Sequence, residues 1–209
     1  MAYERNPAAI TRGSFEIIRA EADLTGLPAD AEAVAVRMIH ACGMVDIVRD
    51  LHITPGAAEA GRAALRAGAP ILCDVAMVAA GITHARLPAN NAVISSIADP
   101  DVARDAAARG ISRAAMSVER WQSRLEGAVV AIGNAPTALF RLIEGLDAGW
   151  PRPALIVATP VGFVGAVESK AALIEAGLGL PYVVLTGRRG GSALAAAAVN
   201  ALAMDEGAR

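Results

Sequence analysis

"AVVAIGNAPTALFRLIEGLDAGWPRPALIVATP", residues 128–160, decides the fold. It opens on a short apolar run, AVVAIG (128–133), passes through a helical pattern at 136–147 and returns to a second apolar run, ALIVATP (154–160). Neither run alternates apolar with polar residues, so each reads as a strand covered on both faces. A strand, a helix and a second strand of the same kind make one βα unit of a parallel sheet.

The unit repeats on either side. APILCDV (69–75) and NAVISSI (91–97) precede it and PYVVLTG (181–187) follows, each bounded by Gly, Pro or Asp. Between them lie helical stretches at 101–125 and 166–176, and another follows at 191–203. The pattern predicts an α/β fold: a doubly wound, mostly parallel five-stranded sheet in a flavodoxin-like, three-layer arrangement. The N-terminal third differs, with helical patterns at 14–24, 29–42 and 56–67 and no strong strand before residue 69. DLHITP (50–55) is too short to assign. Residues 1–68 are therefore expected to form a helical cap on the same core, making residues 1–209 a single domain.

Composition agrees with one α/β domain able to bury its core without disulfides or a metal. Apolar residues make up 55% and aromatics only 3%, so the core must be built from Ala, Val, Leu and Ile. The longest uncharged runs, 127–140, 153–167 and 190–204, are interrupted by Gly, Pro or Asn. They fall short of the roughly 18 residues that span a bilayer, so no membrane segment is expected. MAYERNPAAITRG at the start carries charge and no apolar signal core, which points to the cytoplasm. Cys42 and Cys73 belong to no CxxC or Cys/His cluster and read as reduced, packed thiols; no metal site is expected.

The basic residues are 18 arginines and a single lysine, Lys170. A GC-rich coding sequence would produce this bias, and so would a need for the planar fork that binds carboxylates and phosphates. No basic block interleaved with aromatics is present, so a nucleic-acid partner is not expected.

In an open α/β sheet, ligands bind beyond the carboxyl ends of the strands. Five loops lie there: DVAMV, SSIADP, GNAPTA, TPVGFVGAVESK and TGRRGGSA. Gly and small residues ahead of a helix can leave N–H groups free for an anion, or simply make a tight turn. Neither the GxGxxG spacing nor the Walker lysine is present, and few aromatics are available to sandwich a flavin. Asn134, Thr137, Lys170 and Arg188 are the candidate contacts these loops supply.

RMIHACG (37–43) raises a separate possibility. At about 100° per residue, Val34, Ala35, Met38, Ile39 and Cys42 fill one apolar arc of a helix, while Ala33, Arg37, His40 and Ala41 share the other. Arg37 and His40 are thus neighbours on an alanine-lined face, which suits a solvent-facing pair or a broad, flat ligand. His52 and His84 read as loop or surface residues.

RMIHACG also resembles the precorrin-8X methylmutase family. The resemblance continues through SFEIIRAEADL (14–24), RAALRAGAPILCDVAMVAAGIT (62–83), RLPANN (86–91), VVAIGNAPTALFRLIE (129–144), PVGFVGAVESK (160–170) and GRRGGSALAAAAVNALA (187–203). It departs at Met44 and at the doubled arginine of GRRGG. The resemblance implies an isomerase of corrin biosynthesis that moves a methyl group from C-11 to C-12 of the tetrapyrrole precorrin-8X, giving hydrogenobyrinic acid. It implies no redox cofactor and no external methyl donor. The wording of the blocks looks closer to the branch acting on cobalt-free rings than to that acting on cobalt-precorrin-8. His40 takes the family's catalytic position, and Ser14 and Arg37 match its substrate contacts. A single acid suits the chemistry, because protonating a ring nitrogen makes the conjugated system electron-poor. An imidazole, with an ordinary pKa of about 6.5, can give and recover that proton near neutrality. The resemblance also implies a homodimer, for which the N-terminal helical cap offers an apolar surface. The alternative to an enzyme is a non-catalytic tetrapyrrole carrier that holds a corrinoid product tightly and hands it to the next enzyme, a retention that can coexist with catalysis.

Overall fold

The structure, a computed structural model, describes residues 3–204. Its core is a sheet of six strands: β1 (Leu51–Ile53), β2 (Ile71–Cys73), β3 (Val93–Ile94), β4 (Val129–Ile132), β5 (Leu155–Ala158) and β6 (Tyr182–Leu185), in the order β1-β6-β5-β4-β2-β3. Five are parallel, and their order is that of a doubly wound sheet with the topological switch between β2 and β4. The sixth corrects the sequence expectation. β1 lies within DLHITP and pairs antiparallel with β6, Leu51 opposite Leu185 and Ile53 opposite Val183. A three-residue strand has almost no periodicity to read, and only the distant partner makes it a strand.

Nine helices cover the sheet among the described residues: α1 (Pro7–Glu21), α2 (Glu32–Cys42), α3 (Ala57–Arg66), α4 (Ala76–Gly81), α5 (Pro100–Arg109), α6 (Arg113–Glu119), α7 (Pro136–Asp147), α8 (Ala166–Glu175) and α9 (Ser192–Leu202). Alternate residues of β4 divide between the two faces. Val129 and Ala131 pack with α1, α2, α3, α4 and α9, whereas Val130 and Ile132 pack with α6, α7 and α8. The N-terminal residues expected as a cap thus share the first of these clusters with the sheet: Ala57, Ala58 and Leu65 of α3 are fully buried in it. The expected helix at 101–125 is two helices, because Gly110 turns left-handed (φ 63°) and Ser112 caps α6 by accepting from the Ala115 N–H.

α9 fixes the layer that matters for the site. Its sequence SALAAAAVNAL is alanine-rich, so α2 and α4 can both pack closely against it. Asn200 of α9 ties the end of α4, donating to Gly81 O and accepting from Thr83 N at 2.9 and 2.8 Å. At Gly81 an added Cβ would lie 2.7 Å from the Ala196 methyl, which shows how near α4 comes.

Candidate active site

α2 buries Val34, Ala35, Val36, Met38 and Ile39 and ends at Gly43, whose left-handed backbone (φ 69°) a side chain would strain. This leaves Arg37 half-buried and His40 exposed in the last turn, where the helix dipole favours positive charge. Neither faces the core.

The two side chains meet on one ring. Phe15 of α1 lies edge-on to the His40 imidazole, centroids 5.3 Å apart at 84°, and the Arg37 guanidinium carbon stands 5.7 Å from the same ring centroid. Such contacts are each worth about 0.5–1.5 kcal/mol and restrict rotamers as well. Arg19 approaches Phe15 too, at 6.0 Å, but its charge is met by Glu32 at 2.7 Å. Arg37 has no carboxylate partner among the described residues. Burial, and then the neighbouring charge of Arg86, push its pKa down. A half-buried guanidinium beside an imidazole can hold an anionic group while the imidazole transfers a proton. Ser14 stands next to Phe15 on α1, half-buried, its hydroxyl donating to Ile10 O at 2.9 Å and leaving the oxygen able to accept.

The loop-derived candidates belong to other elements. Asn134 is exposed at the carboxyl end of β4, and Thr137 bonds Ser112 at 2.6 Å in the opposite helical layer. Lys170 is fully buried: its Nζ donates to Pro160 O at 3.0 Å and Arg189 O at 2.9 Å, pinning the loop after β5 to the loop after β6. Burial pulls its pKa down to about 8, although the charge of Asp50 works the other way. Arg188 is exposed and stacks on Phe163 at 5.3 Å. The structure therefore sets Arg37 and His40 of α2 around Phe15 of α1, with Ser14 the chain neighbour of that ring, while Thr137 sits in the opposite helical layer and Lys170 is buried against two carbonyls of its own chain.

Asp74 explains why the sheet edge is less available than its loops suggest. It leaves β2 fully buried and accepts from the backbone N–H groups of Gly133, Asn134 and Ala135 at 3.0, 2.9 and 2.7 Å. Burial pushes its carboxyl above the usual carboxylate range while those donors pull against it. The anion cradle at the switch point is thus filled by the protein's own carboxylate. Sequence reading overlooked Asp74, Phe15 and Arg86. Asp74 ends a strand at the switch point, and Phe15 is one of only three phenylalanines, which were the available signals.

The sequence profile of precorrin-8X methylmutase matches residues 9–204. The chain belongs to the precorrin-8X methylmutase family. It is 61% identical to the precorrin-8X methylmutase of Pseudomonas aeruginosa, covering 97% of this chain and 98% of that one, and 35% identical to the cobalt-precorrin-8 methylmutase of Priestia megaterium, covering 95% and 88%. Among solved structures, a precorrin-8X methylmutase from Thermus thermophilus superposes with a TM-score of 0.84 at 41% identity, covering 93% of this chain and 94% of that one.

Within this methylmutase family member, the doubled arginine of GRRGG divides its work. Arg189 binds Asp46 at 2.7 Å and Asp50 at 2.5 Å, anchoring the last loop to the 3-10 turn at 45–50, while Arg188 remains at the surface. Met44, at the other departure, is exposed just beyond the α2 cap. No group of three or more metal-ligating side chains is found among the described residues, and no helix there is long and apolar enough to cross a membrane.

Proposed function

We propose that His40 gives a proton to a ring nitrogen of precorrin-8X and recovers it once a methyl group has moved from C-11 to C-12, yielding hydrogenobyrinic acid. The protein is an isomerase of cobalamin biosynthesis by its family and its 61% identity to a precorrin-8X methylmutase across nearly the whole chain. The observation that carries the assignment of His40 is the shared ring of Phe15, which holds the imidazole and the Arg37 guanidinium on one open helical face. Arg37 binds a carboxylate arm of the macrocycle, Ser14 hydrogen-bonds nearby, and the imidazole is left to move the proton. Such a group typically contributes about 10²- to 10⁴-fold in rate, and the remainder comes from holding the ring in a reactive conformation. Asn134, Thr137 and Arg188 are second-tier contacts that would require the substrate to extend to the sheet edge.

The test is His40→Ala mixed with isolated precorrin-8X, followed by visible absorption, since methyl migration alters conjugation. Turnover should fall by about 10²-fold or more; conversion at the wild-type rate would remove His40 from the mechanism. The higher identity to the precorrin-8X enzyme than to the cobalt-precorrin-8 enzyme favours the cobalt-free ring as substrate. We further propose a cytoplasmic homodimer that holds its product for hand-over. Ile10 and Ile17 support the dimer, being 47% and 58% exposed on the outer side of α1. Light scattering that reports a monomer at micromolar concentration would overturn it.

A further inference from the structure

Arg86 is exposed at the end of the 3-10 turn His84–Arg86, which follows α4. It lines a cavity of about 470 Å³ with Thr11, Arg12, Phe15, Glu16 and Arg19 of α1. Phe15 is therefore a wall common to this cavity and to the Arg37–His40 pair. Arg86 also stands near enough to Arg37 for its charge to disfavour the protonated guanidinium there. Glu16, the one acid on the cavity wall, makes no ion pair with either, and among the described residues neither arginine has a carboxylate partner.

Two guanidinium groups set around the Phe15 ring, neither with a carboxylate partner among the described residues, favour the arrival of an anion. The planar, two-oxygen geometry of a carboxylate matches their forks better than a point charge would. We propose that Arg86 is a further substrate-binding residue, closing with Arg37 on one carboxylate arm of the macrocycle in the cavity walled by Phe15. This rests on the methylmutase reading and extends it: α4, through the turn that follows it, contributes to substrate recognition opposite α2. The role is binding, so it acts before the proton moves.

The experiment measures the affinity of hydrogenobyrinic acid and the steady-state kinetics with precorrin-8X for Arg86→Met, Arg86→Lys, Arg37→Met and the double Met variant. Arg86 is exposed, so Arg86→Met should fold as the wild type does. It should bind the product about tenfold more weakly and raise KM in proportion, with kcat within about twofold. Arg86→Lys should recover part of the affinity, since charge remains and the fork is lost. If the two arginines grip one arm, the double variant loses less than the product of the single losses. Product affinity within about twofold of wild type in Arg86→Met, or losses that multiply independently, would overturn the proposal. A wild-type protein that binds product through Arg86 yet converts no precorrin-8X would instead overturn the methylmutase reading alone.

Discussion

Lys170 permits a clean test of how the loops beyond β5 and β6 are held. It is the sole lysine of the chain, fully buried, with two carbonyl acceptors, Pro160 O and Arg189 O. A neutral amine has two N–H donors and satisfies both carbonyls; an ammonium adds a third donor and a buried charge. Its pKa falls from 10.5 to about 8 on folding. The folded value is the lower one, so the unfolded chain binds the extra proton between those limits, and stability must rise with pH across that window. From pH 7 to 9.5 the gain is about 2 kcal/mol, and the full interval would give about 3 kcal/mol. Lys170→Met lacks this titration but leaves both carbonyls without their donor, a cost of about 1–3 kcal/mol each. Urea unfolding of the two proteins at both pH values isolates the effect, because other titrating groups are common to them. The wild type should gain about 2 kcal/mol on the variant as pH rises from 7 to 9.5. A constant difference, or one that narrows, would refute the reasoning that the charge is held against its hydration.

Asp74→Ala should lower stability by about 3 kcal/mol or more, since three backbone donors lose a buried acceptor, and millimolar sulfate should restore part of it in the variant but not in the wild type; urea midpoints with and without sulfate check both. At Gly190 a Cβ would lie 2.2 Å from Thr159 O, a backbone atom, so Gly190→Ala should part the two pinned loops and lower the thermal midpoint, whereas Gly26→Ala, which meets nothing within 4 Å, should not. Phe15→Leu should reduce kcat by about two- to tenfold, the equivalent of one aromatic contact, with Phe15→Tyr close to wild type; steady-state kinetics followed by visible absorption decide it.

The parallel strands were legible because strands covered on both faces are short apolar blocks bounded by turn residues: β4, β5 and β6 each fall inside the runs read at 128–133, 154–160 and 181–187. β1 was not legible, since its strand character comes from Leu185 and Val183, over 100 positions away. The same division holds at the candidate site. Arg37 and His40 stand out by residue type and by helical spacing, and the structure leaves both off the core-facing side of α2. Phe15 and Arg86 acquire meaning only when α1 and the turn after α4 are folded beside α2. Lys170 misled because a lysine beside Gly-rich loops looks available, and nothing local announces that its ammonium points at two carbonyls of its own chain.

Topology by itself would place an anionic ligand at the crevice between β2 and β4. Charge accounting favours the α1–α2 face proposed above. At the crevice the N–H groups that would receive an anion already receive Asp74, and the adjoining loops are closed by Lys170 and by the pairing of Arg189 with Asp46 and Asp50. Of the charged groups in those loops, Arg188 alone is left at the surface, against Phe163. On the α1–α2 face the balance reverses: Arg37 and Arg86 carry positive charge with no acid partner among the described residues, next to an imidazole and an aromatic wall. An anionic macrocycle gains most where cations lack counter-charges, because binding there displaces no existing ion pair. The fold thus fills its switch-point cradle with Asp74 and leaves Arg37 and Arg86 without a carboxylate partner among the described residues, beside the Phe15 ring and the His40 imidazole.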